Sequence, residues 1–146
     1  MDIQLTPHFK LSELTTTSHT KYRKENLESA QAIPGKMYML AGFAERVREI
    51  AGHPLIVTSG YRCPALNKAV GGTVCSQHLL AEAIDVVCQK MPVEKLFDKL
   101  RFSDLKYDQI IIEQNKAGSK WVHISIGSRK QQLKFDGKYY YSIYDK

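Results

Sequence analysis

The sequence predicts an α+β fold in which an antiparallel sheet packs against helices, and three patterns predict it. Between Pro34 and Gly52, Leu40, Phe43, Ala44, Val47, Ile50 and Ala51 recur at three- and four-residue steps, the spacing of one amphipathic helix. The run WVHISI alternates apolar and polar positions as a half-buried strand does. Two turn-forming sequences, NKAGS and the Asp136-Gly137 pair, each separate two β-rich runs, so the second half of the chain reads as two hairpins. The 146 residues suit one domain, 1–146, with the second hairpin as a C-terminal extension at about 129–146. A chain of that length buries enough apolar surface to fold without a metal or a disulfide.

In order along the chain, Leu11 to Leu14 and Asn26 to Gln31 form short helical pieces, and the polar TTTSHTKYRK between them reads as loop. Pro34 suits the first turn of the long helix and Gly52 suits its stop. Leu55 to Thr58 is a short β-branched strand that delivers Ser59, Gly60, Tyr61 and Arg62 to its end, where binding residues gather. Pro64 to Val70 is a helix closed by Gly71 and Gly72, and Ile84 to Val87 is a buried strand. Pro92 opens a helix whose Val93, Leu96, Phe97 and Leu100 share one face and which ends near Ser103. Tyr107 to Glu113 and Lys120 to Ile126 make the first hairpin, and QLKF with KYYYSIY makes the second.

Composition excludes several classes. At 43% hydrophobic and 25% charged the chain is ordinary for a globular protein, and no apolar run is long enough to span a bilayer. MDIQLTPHFKLSEL lacks a basic segment followed by an apolar core, so no secretory signal is read and the chain is expected in the cytoplasm as made. Cys63, Cys75 and Cys88 are odd in number and lack CxxC spacing, which argues against a disulfide framework and a thiolate metal site. A reduced environment is the simpler reading; pairing of Cys63 with Cys75 is the alternative for a secreted chain. The net charge of +6 favours an anionic partner: nucleic acid, a membrane surface or a bacterial wall. Lys and Arg are scattered rather than striped, so a nucleic-acid module is the weaker reading, and a monomer is expected.

The chemistry concentrates in SQHLLAEAID, which sets His78 and Asp85 seven residues apart. On one helix such residues stand about 10 Å apart along the axis, and on one strand more than ~20 Å. Both reach one cation, at roughly 2 Å each, only if the chain folds back over Leu79 to Glu82, where Ala81 and Ala83 permit close backbone approach. The best third ligand is His123, which shares a strand face with Trp121 and Ser125, away from Val122, Ile124 and Ile126. Two histidines and a carboxylate leave a tetrahedral zinc one open position, the arrangement of a catalytic site. His8, His19 and His53 read as surface histidines, none in a patterned segment near a carboxylate.

Together SGYRCPALN, SQHLLAEAID and WVHISI resemble the zinc D-alanyl-D-alanine carboxypeptidase family, which includes vancomycin-resistance D,D-dipeptidases and phage L-alanyl-D-glutamate endolysins and carries SGYR, SxHxxGxAxD and WxHxS or WHxH. The resemblance runs from about Leu11 to Ser128. It implies a D,D-peptidase or hedgehog-like fold, Zn²⁺ on His78, Asp85 and His123, and a peptidoglycan peptide as substrate. Ala81 departs from the family's usual Gly, which matters if that position needs positive φ, and Lys120 stands where some members carry a catalytic Glu.

Glu113 is the candidate general base, supported by the family's DQxxxE; if the hairpin turn centres near Ala117, Glu113 falls opposite Trp121 on the face of His123. Asp108 is the reserve. Arg62 suits a substrate carboxylate or a developing oxyanion, or else braces its loop as an ion pair. Ser76 resembles the family serine that holds substrate, or caps a turn. Gln109 and Asn67 are weaker candidates, Asn67 having the satisfaction of loop backbone as its alternative role; Trp121 walls the cleft or belongs to the core. The expected function is hydrolysis of cell-wall peptides, of carboxypeptidase or endopeptidase type. By analogy, a short basic chain without a signal fits a phage or prophage lysin. The alternative is a wall-binding or morphogenetic protein that keeps the fold without turnover.

Overall fold

The computed structural model describes residues 2–143. Its elements run β1 (Gln4–Thr6), β2 (Phe9–Lys10), α1 (Leu11–Leu14), α2 (Arg23–Gln31), α3 (Pro34–Ala51), β3 (Ile56–Ser59), α4 (Pro64–Ala69), β4 (Ala83–Val87), α5 (Val93–Arg101), β5 (Gln109–Gln114), β6 (Lys120–Ser125), β7 (Gln131–Phe135) and β8 (Tyr140–Ser142). Single turns of 3-10 helix occupy Thr20–Tyr22 and Gln77–Leu80. The first lies in the stretch expected to be loop, and α2 starts three residues before the predicted Asn26.

Strands β1 and β2 pair with each other, and the other six form a sheet in the order β3-β4-β6-β5-β7-β8. The expectation of an antiparallel sheet needs correction. β5 pairs antiparallel with β6, and β7 with β8, but β5 and β7 run parallel. The connection after β6 explains this. Gly127 and Lys130 adopt positive φ, and Lys130 and Gln131 donate backbone N–H groups to the carbonyls of Tyr107 and Asp108, seating β7 on the other edge of β5.

The contacts divide the chain into two compact units, Met1–Glu45 with Val57–Ile84, and Arg46–Ile56 with Asp85–Lys146. In the first, the Tyr61 N–H donates to the Leu14 carbonyl at 2.8 Å. A Cβ on the neighbouring Gly60 would meet that carbonyl oxygen at 2.4 Å, so the crossing requires glycine. Asn26, fully buried, donates to the carbonyls of Thr15 and Tyr61 and accepts from the Cys63 N–H at 2.7 Å. One amide side chain thus pins both flanks of Arg62. His8 is exposed, as expected of a surface histidine, and its Nδ1 lies 2.7 Å from the Glu45 carboxylate.

The buried line of α3 is Met37, Leu40, Ala41, Ala44, Val47 and Ala51. Phe43 and Ile50, expected on that face, flank it as half-buried residues. In the second unit α5 packs on β5 and β6 through Leu96, Phe97 and Leu100. Lys120 points to the α5 side, where it pairs with Glu94 at 3.7 Å. Alternation therefore puts Glu113, Trp121 and His123 on the opposite face.

Candidate metal centre

The fold-back after His78 is built from three local devices. The Ser76 hydroxyl accepts from the His78 N–H at 3.2 Å and caps the 3-10 turn. Ala81 then adopts the left-handed conformation, φ 56° and ψ 40°, and turns the chain into β4. The position does need positive φ, and alanine tolerates it at a cost of about 1–2 kcal/mol. Third, the His78 Nδ1 lies 2.7 Å from the Gly60 carbonyl oxygen, the carbonyl next to the tight crossing with Leu14. An Nδ1–H donated there fixes the tautomer whose Nε2 carries the lone pair a metal requires.

Asp85 sits mid-strand in β4, rather than at its start, and His123 in β6. His123 Nδ1 lies 3.0 Å from an Asp85 oxygen and 3.7 Å from Glu113 Oε1. Ligand atoms of His78, Asp85 and His123 all lie within 4.8 Å of one another. Donors about 2 Å from one tetrahedral ion stand a little over 3 Å apart, so the set matches a shared cation after small adjustments. The three residues are 3%, 5% and 8% exposed. Burying a carboxylate and two imidazoles so completely is unfavourable unless they are paired or hold a metal.

Glu113 stands directly opposite Trp121, the register expected from the sequence, and accepts the indole N–H on Oε1 at 3.2 Å. Trp121 therefore orients the carboxylate, a role that face parity alone left undecided. Asp108, the reserve, accepts two hydrogen bonds from Arg129 at 2.9 and 2.7 Å. Gln109 donates to Gln131 at 2.6 Å and lies four residues along β5 from Glu113, roughly 13 Å away.

Arg62 is braced: Nε donates to the Ser59 hydroxyl at 3.1 Å and Nη1 to Asn67 Oδ1 at 3.2 Å. It lines a cleft of about 140 Å³ with Thr16, Thr17, Ser18 and Ser59 among others. Asn67 also donates to the Thr73 carbonyl, the loop role foreseen for it. All three cysteines are free; burial pushes the Cys63 thiol above its usual range. Two placements escaped the sequence reading. Asn26 carried no signal beyond its residue type. Tyr140 comes to the Glu113 face through the β5–β7–β8 register, which a parallel β7 makes unreadable from hairpin signals.

The profile of the Peptidase M15 family matches residues 7–125, most of the chain and all three motifs. The chain belongs to the peptidase M15 family. M15 membership implies a metallopeptidase, and zinc is the metal these peptidases typically use. No curated protein sequence matches this M15 chain. Among its described residues, no helix is long and apolar enough to cross a membrane.

Proposed function

We propose that this M15 peptidase hydrolyses peptide bonds of bacterial peptidoglycan, with zinc on His78, Asp85 and His123 and with Glu113 as the general base. The observation that carries the reading is the placement of the Glu113 carboxylate 3.7 Å from His123, on the face of the β5–β6 pair that also bears Trp121. Bound zinc supplies Lewis acidity, which polarises a peptide carbonyl and lets water ionise near neutral pH. The protein's own groups do the rest. Glu113, held by Trp121, takes a proton at its carboxylate and returns it to the leaving amine. Arg62, held in a fixed plane by Ser59 and Asn67, offers its guanidinium to a substrate carboxylate or a developing oxyanion. Ser76 supports the site through the turn that presents His78. The departure at Lys120 does not weaken this assignment, because that side chain lies on the α5 face, paired with Glu94.

The test is incubation of the purified protein with muropeptides, with and without a chelator. Chelator-sensitive release of free D-alanine identifies a carboxypeptidase, and new amino groups within the stem peptide identify an endopeptidase. Binding without cleavage rejects the enzymatic reading in favour of a wall-binding protein.

A further inference from the structure

The β7–β8 hairpin, Gln131 to Ser142, lies beyond residue 125, where the family match ends. It nevertheless continues the face of the sheet that carries Glu113. Glu113 pairs with Trp121 on one side and with Phe135 on the other, and Phe135 pairs in turn with Tyr140. Directly paired residues on neighbouring strands share a face, so Trp121, Glu113, Phe135 and Tyr140 form one row. The Phe135 and Tyr140 rings stack at 4.5 Å between centroids, which holds Tyr140 to that row. Tyr140 remains 58% exposed at the rim, while Glu113 is 15% exposed at the centre.

We propose that Tyr140 is a substrate-binding residue of this face, its ring extending the row that carries Glu113 and its hydroxyl donating a hydrogen bond to a carbonyl oxygen of the bound peptide. The proposal rests on the peptidase reading above and adds the hairpin to it. Burial, then the nearby charges of Glu113 and Asp85, push the phenol above its usual range.

The test uses zinc-loaded protein, a soluble stem-peptide fragment of peptidoglycan, and the variants Tyr140→Phe and Tyr140→Ala. Trp121 is the only tryptophan and lies in the same row, so its fluorescence reports binding independently of turnover. Tyr140→Phe is expected to raise Kd and KM by about three- to tenfold, the worth of one neutral hydrogen bond, with kcat within twofold. Tyr140→Ala is expected to raise them further, and both variants are expected to keep wild-type zinc content and Tm. Wild-type Kd and KM in both variants would overturn the assignment while leaving the peptidase intact. A wild-type protein that neither binds nor cuts the fragment rejects the peptidase reading itself, and the role of Tyr140 with it.

Discussion

The indole N–H of Trp121 donates to Glu113 Oε1 at 3.2 Å across the β5–β6 pair, and the same carboxylate oxygen lies 3.7 Å from His123 Nδ1. One aromatic side chain thus sets the plane of the carboxylate assigned as general base. Trp121→Phe keeps the ring and removes the donor. It is expected to lower kcat about three- to tenfold while KM and zinc content stay at wild-type values, measured by steady-state kinetics with metal analysis. Unchanged kcat would mean that Glu113 needs no such orientation.

Glu113→Gln preserves the shape and the Trp121 contact but removes the base. Turnover is expected to fall by about a hundredfold or more with zinc retained. Full activity in this variant would move the base to another group.

Much of this arrangement is legible in the sequence, and the limits have physical causes. The helix α3 and the Glu113–Trp121 register follow from periodicity and from a hairpin turn, both local signals. The fold-back between His78 and Asp85 follows from a reach argument, since no regular element brings both to one ion. What the sequence hides is non-local. The parallel placement of β7 depends on a crossover set by Gly127 and Lys130, and with it goes the position of Tyr140. Asn26 shows only as a helix residue until Thr15, Tyr61 and Cys63 surround it.

Gly60 carries the carbonyl that orients His78, and it touches Leu14 with no room for a methyl group. Gly60→Ala places a Cβ 2.4 Å from the Leu14 carbonyl oxygen and is expected to cost about 1–3 kcal/mol in stability. Because the shift displaces the His78 acceptor, zinc affinity is expected to fall as well. Thermal unfolding and competition with a chromogenic chelator measure the two effects; a variant equal to wild type in both would remove this link.

Ala81 holds φ 56° at the entry to β4. Ala81→Gly relieves that strain but loses a buried methyl and gains unfolded-state freedom, so its stability is expected to change by less than about 1 kcal/mol. Ala81→Val puts a β-branched side chain in a conformation it strongly disfavours and is expected to lose about 2 kcal/mol or more, read by denaturant unfolding. Equal stability of the valine variant would show that the turn opens another way.

Asp136 governs the hairpin that carries Tyr140. Backbone N–H groups of Tyr139 and then Lys138 hold its carboxyl below the usual value of 3.8. A depressed folded pKa adds stability that is present above 3.8 and is lost as pH falls through the lower folded value. The Lys138 and Tyr139 amides are expected to lose their protection from exchange on acidification below that point, followed by NMR. Asp136→Asn is expected to flatten this pH dependence.

Zinc stoichiometry across the three ligand variants tests the central claim most directly. Elemental analysis of the purified protein is expected to give one zinc per chain, falling to near zero in His78→Ala, Asp85→Ala and His123→Ala while each keeps its helical circular dichroism. A wild-type protein that takes up no zinc, or ligand variants that bind it as wild type does, would contradict the account.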